Sequence, residues 1–182
     1  MTITHLVTAN ELEAMGRDAR FELNQGVLRH MSPSGARSSM VASAIGYELR
    51  HYVQSQRLGA VIFAEAGYIL ERDPDTVIAP DVAFVRRDRL PDPIPERGFF
   101  PLAPDLAVEV ISPTDESGDI RRKRALYDRV AIPMVWWIDP LRRTVAVHVP
   151  GQPVHHLTEF DNLDGLHVVP GFSIPLQTIY DV

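Results

Sequence analysis

The chain has 182 residues, 45% of them hydrophobic and 23% charged, and a net charge of −6. That length and balance point to one domain, spanning residues 1–182, with a sizeable core. Cysteine is absent, which excludes disulfides, a thiolate nucleophile and zinc–sulfur sites and fits a reducing cytoplasm, while the acidic charge argues against tight non-specific binding to nucleic acid without excluding a local, metal-bridged site.

The opening stretch MTITHLVTANELE lacks the basic region and apolar core of a signal peptide. No apolar run approaches the roughly 18 residues that a membrane span needs. Thr8 and Glu11 have capping-box spacing, which predicts a first helix from about Ala9 to Ala19. FELNQGVLRHM reads as two short strands around an Asn24-Gln25-Gly26 turn. SPSGARSS reads as a loop. From Met40 the spacing of Val41, Ala44, Ile45, Leu49, Tyr52 and Val53 is helical, and Gly59 is the expected stop.

Strands are expected at Ala60–Ala64 and Gly67–Leu70, followed by the turn ERDPDT. Asp81–Val85 reads as a strand entered through Pro80, and residues 86–104 as a charged, proline-rich surface loop. Leu106–Ser112 reads as an apolar strand and Ser117–Val130 as a helix that stops before Pro133. Met134–Ile138 and Thr144–Val149 are strands separated by the Asp139-Pro140 turn, and further short strands fill the tail. This order describes an α/β (α+β) protein with a mixed central β-sheet flanked by helices. The strand around 109, the following helix and the strand around 136 form a crossover unit within it.

Three charged residues stand where a core is expected. Asp81 occupies the first position of its strand, although Pro-Asp alone is a common turn dipeptide. Glu109 sits in the run LAVEVI, with apolar neighbours on both faces. A carboxylate buried there must be protonated, paired or bound to metal; the alternative is an edge position open to solvent. Lys123 is the third. On a helical wheel Ile120, Leu126, Tyr127 and Val130 point on the order of 300° round from Ile120, and Lys123 points the same way. Its three basic neighbours, Arg121, Arg122 and Arg124, point elsewhere. Lys123 could instead snorkel along the helix or pair with Asp119. If its charge is simply buried, Lys123→Leu keeps or raises stability.

Two carboxylates at neighbouring strand ends can hold a hard divalent cation through oxygen. A lysine beside them can orient water or stabilise charge on a phosphate. The histidines do not form a competing site: His155 and His156 are adjacent, so on a strand they face opposite ways. Trp136 and Trp137 are expected on opposite faces for the same reason. No serine lies in a G-x-S-x-G pattern.

The ordered set FELNQGVLRHMSPSG, APDVAFV, APDLAVEVISPTDESGDIRRKRALYDRVAIPMVWWIDP and VPGFSIPL resembles the Uma2 family of endonucleases, within the PD-(D/E)XK nuclease superfamily. The resemblance covers most of the chain and implies a restriction-endonuclease-like core. It implies Asp81 and Glu109 as ligands of Mg²⁺ or Mn²⁺, Lys123 as the catalytic lysine, DNA as partner, and a homodimer as a way to cut two strands. Glu22 matches a family glutamate that adds a further carboxylate. Asp119 matches another family position and would orient Lys123.

Two departures qualify this. Where the superfamily places a lysine two residues after the glutamate, this chain has Ile111. Where the family often has a histidine near the start of the second helix, it has Ala36-Arg37-Ser38-Ser39. Together with the acidic charge, they motivate an alternative: a catalytically weak or inactive nuclease-fold module that binds nucleic acid or protein.

Overall fold

A computed structural model of the chain describes residues 5–16, 20–63, 66–113 and 117–182. In chain order the elements begin with helix α1 (Ala9–Ala14), strands β1 (Phe21–Asn24) and β2 (Val27–His30), and helix α2 (Ala36–Gln56). Strands β3 (Gly59–Ile62), β4 (Tyr68–Glu71), β5 (Thr76–Ile78), β6 (Val82–Arg86) and β7 (Leu106–Val110) follow. Helix α3 (Ser117–Arg129) leads to β8 (Met134–Asp139), β9 (Thr144–His148), β10 (His155–Thr158), β11 (Asn162–Asp164), β12 (Ser173–Pro175) and the single turn α4 (Gln177–Tyr180). Among the described residues, no helix is long and apolar enough to cross a membrane.

These elements fall into two compact units. The first comprises Met1–Pro33, Glu65–Ala79 and Pro91–Ala103. Its sheet has the order β2-β1-β5-β4. The capping box at α1 is present: Thr8 and Glu11 satisfy each other's backbone N–H groups. The helix ends at Ala14, short of the expected Ala19: Met15 caps it and Gly16 takes a positive φ of 82°, while residues 17–19 lie outside the described residues. Gln25 and Gly26 both have positive φ, 50° and 74°, which closes the β1–β2 hairpin as a two-residue turn of the favoured hand. Strand β5 falls within no strand expected from the sequence. It is only three residues long and wholly buried, too short to show alternation.

The second unit comprises Ser34–Ala64, Pro80–Leu90 and Pro104–Val182. Its six-stranded sheet runs β10-β9-β8-β7-β6-β3. Only β7 and β8 are parallel; every other pair in this sheet is antiparallel. The parallel pair requires a crossover connection, and α3 supplies it as the sequence implied.

One face of this sheet carries Val82, Phe84, Leu106, Val108, Met134, Trp136 and Ile138. They form one core with Val41, Ile45, Leu49 and Val53 of α2 and with Phe172 and Ile179 of the tail. The period of two puts Ala83, Ala107, Glu109, Val135 and Trp137 on the opposite face. The two tryptophans divide as expected. Trp136 stacks on Phe172, centroids 5.8 Å apart, and Trp137 meets Tyr127 of α3 at 5.8 Å.

Helix α2 begins at Ala36 rather than Met40, because Ser38 is buried and belongs to its first turn. Its end differs as well. Arg57 takes the left-handed conformation, φ 56°, and Leu58 N–H donates back to the Val53 carbonyl at 3.0 Å. Gly59 is therefore not the helix stop but the first residue of β3. A Cβ there would lie 2.1 Å from the Val85 carbonyl oxygen, so close strand approach is what demands glycine. The loop after β6 opens with a 3₁₀ turn, Arg87–Arg89.

Candidate active site

Strand β7 lies between β6 and β8, and all five of its residues are buried. Glu109 is 8% exposed, so the edge-strand reading fails. Its charge is met from α3, the helix that follows β7 in the chain. Lys123 Nζ lies 3.0 Å from Glu109 Oε1 and 3.1 Å from Oε2. The Tyr127 hydroxyl donates to Oε1. Lys123 and Tyr127 are one helical turn apart, so they arrive side by side on one face of α3. The Tyr127 ring is 2% exposed and is backed by Trp137, which stands across from Glu109 in the β7–β8 register. The Arg124 guanidinium lies over the same Trp137 ring, 5.0 Å from its centroid.

Asp81 stands at the entry to β6. The β6–β7 register pairs Val82 with Val108 and Ala83 with Ala107. One step further along that register, Asp81 stands across from Glu109. Asp81 Oδ2 accepts the backbone N–H of Val110 at 2.7 Å. The carboxylate thus continues the ladder past the last paired residues. A plain turn dipeptide would not need it to.

The other expected residues have contacts of their own. Glu22 belongs to the first unit, on β1, where its carboxylate accepts the Ala79 N–H at 3.0 Å. Asp119 pairs with Arg122. Ile111 extends the ladder by donating its N–H to the Ile138 carbonyl at 2.8 Å. Its own carbonyl accepts the hydroxyl of Ser38 at 3.1 Å. In the stretch where the family often has a histidine, Ser38 instead ties the first turn of α2 to the end of β7.

His155 and His156 are exposed on β10, and His148 pairs with Asp128 at 2.8 Å. Among the described residues, no group of three or more His, Asp or Glu is gathered as a metal site. At the ends of β6 and β7 two carboxylates, Asp81 and Glu109, stand at facing register positions. The hydroxyl of Tyr127 is a partner of Glu109 that sequence reasoning missed. The helical wheel places Tyr127 beside Lys123, but an aromatic ring on an apolar stripe reads first as core.

A crystal structure from Anabaena variabilis, described as "a putative nuclease belonging to DUF820", matches with a TM-score of 0.81 at 19% identity, covering 96% of this chain and 98% of that one. The fold is therefore restriction-endonuclease-like. No curated protein matches the chain. Residues 8–177 match the model of the Uma2 family, described as "Putative restriction endonuclease", and the chain belongs to that family.

Proposed function

We propose that the chain is a metal-dependent endonuclease that hydrolyses phosphodiester bonds of DNA at the site formed by Asp81, Glu109 and Lys123. The observation that supports this most directly is the meeting of Lys123 with the buried Glu109, which faces Asp81 across the β6–β7 register. A catalytic lysine drawn from the helix compensates for Ile111 at the superfamily position.

The donor set fits a hard cation. It is made of carboxylate oxygens without imidazole, and Mg²⁺ is commonly held by one or two carboxylates while keeping several waters. When bound, Mg²⁺ or Mn²⁺ would supply Lewis acidity toward a phosphoryl oxygen and lower the pKa of a bound water. The chain's own residues supply the rest. Asp81 and Glu109 would hold the ion. Lys123 would orient the attacking water or balance negative charge developing on the phosphate. Arg121 is exposed on α3 and would meet the DNA backbone. The family resemblance alone implies Glu22 as an assisting carboxylate.

The assay is nicking and linearisation of supercoiled plasmid with Mg²⁺ and with Mn²⁺, with Glu109→Ala, Lys123→Ala and Glu22→Ala alongside. Cleavage that depends on the cation and disappears with Glu109→Ala and Lys123→Ala supports the mechanism. Cleavage that survives both substitutions removes it. Loss of rate in Glu22→Ala assigns the assisting role.

One observation favours a second reading, a nuclease-fold module without catalysis. Glu109 is already neutralised by Lys123, as a purely structural ion pair would be. Calorimetric titration with Mn²⁺ separates the two: absence of binding up to low-millimolar Mn²⁺ selects the module.

A further inference from the structure

We infer that Tyr127 is a positioning residue for Glu109: its buried hydroxyl fixes the carboxylate for cation binding, and Lys123 is the partner that a metal ion exchanges with. This rests on the metal-dependent reading above and goes beyond it by giving the two α3 contacts different roles.

Their chemistry differs. An ionised carboxylate has about four acceptor sites across its two oxygens. A neutral hydroxyl that occupies one of them is compatible with a cation at another. An ammonium is not, because it repels a second positive charge at the same carboxylate.

Their surroundings differ in the same direction. Tyr127 is 2% exposed and its ring is held against Trp137 at 5.8 Å. Tyrosine has few rotatable bonds, so that ring contact also fixes the hydroxyl. The Lys123 side chain is 21% exposed and carries its charge on a flexible four-carbon stem. It can leave Glu109 toward solvent or a phosphate without disturbing the helix. Lys123 therefore neutralises Glu109 while no metal is bound and is released when an ion takes its place. Tyr127 stays and orients the carboxylate in both states. Hydrogen bonds of this kind behind a metal ligand commonly set affinity by roughly 10–100-fold.

The test is Mn²⁺ titration by calorimetry on the full chain, comparing wild type, Tyr127→Phe and Lys123→Met at a temperature well below unfolding. The expected result is a divergence: Tyr127→Phe weakens Mn²⁺ binding by about tenfold or more, whereas Lys123→Met does not weaken it. A merely structural role for Tyr127 would lower the melting temperature and leave Mn²⁺ affinity where it was. Wild-type binding with equal affinity in Tyr127→Phe overturns the assignment to Tyr127 alone. Wild-type protein that binds no Mn²⁺ overturns the metal reading and this one with it. Should Tyr127→Phe fail to fold, a wild-type crystal soaked in Mn²⁺ decides. The Tyr127 hydroxyl must remain on Glu109 while Lys123 Nζ has moved off it, and the reverse arrangement overturns the inference.

Discussion

Lys123 Nζ and Glu109 Oε1 are 3.0 Å apart, on a helix and a strand that follow one another in the chain. The pair changes what removing the lysine does. Considered as a lone buried charge, Lys123 is better replaced by leucine. Considered as the partner of Glu109, it is not, because the substitution leaves a carboxylate buried without its counter-ion. We expect Lys123→Leu to lower stability by about 1–3 kcal/mol. Adding Glu109→Gln should recover much of that loss by removing the unbalanced charge. Urea unfolding of the single and double variants measures both. A single variant as stable as wild type would show that the pair contributes nothing.

Asp81→Asn separates the two tasks of Asp81. An asparagine oxygen can still accept the Val110 N–H, so the end of the β6–β7 ladder is kept. The negative charge is lost. On the proposed function, Mn²⁺ affinity should fall by about tenfold or more while the melting temperature stays near that of wild type. Wild-type affinity in the Asp81→Asn protein would remove Asp81 from the ligand set.

Gly59 and Arg57 make a reciprocal pair. Gly59→Ala pushes a Cβ onto the Val85 carbonyl, which is backbone and cannot rotate away. A loss of about 1–3 kcal/mol follows from that overpacking. Arg57→Gly relieves a left-handed residue at the end of α2 and should be neutral or stabilising. If Gly59 were the helix stop, the order of the two would reverse, and denaturant midpoints would show it.

Asp75 gives a pH dependence with a definite sign. The Ala9 N–H donates to its carboxylate at 2.7 Å, and Arg72 lies at 3.0 Å. The Ala9 hydrogen bond chiefly, and the Arg72 charge, hold its carboxyl below the usual range against the upward push of burial. A depressed folded value means that this contribution to stability is complete above the unfolded value, ~3.9, and fades as the pH falls through the folded one. Thermal melts from about pH 6 to pH 3 should therefore show wild type losing more than Asp75→Asn over the acid end. Parallel curves would rule out the contribution.

The elements most legible in the sequence are those whose pattern has a local cause. The capping box of Thr8 and Glu11, the Gln25-Gly26 turn and the β7-α3-β8 crossover each follow from spacing along one stretch of chain. Strand β5 and the start of α2 are not legible there, because burial from outside the segment decides both. The site divides along the same line. An apolar strand with one glutamate identifies Glu109, and a helical wheel aims Lys123 inward. The pairing of Asp119 with Arg122 could not be chosen over a pairing with Lys123 from spacing alone, since both lie within about one turn.

The sequence by itself determined that Glu109 needed a partner, because an isolated carboxylate in an apolar strand is too costly to leave unmet. It also aimed one charge, that of Lys123, at the core. Which groups meet it was decided only by tertiary structure. The parallel pairing of β7 and β8 returns α3 across the face that carries Glu109, and it brings both the Lys123 ammonium and the Tyr127 hydroxyl to one carboxylate. The antiparallel register of β6 sets Asp81 beside the Val110 N–H. Those meetings depend on strand order and register across distant segments, which no local pattern of residues encodes.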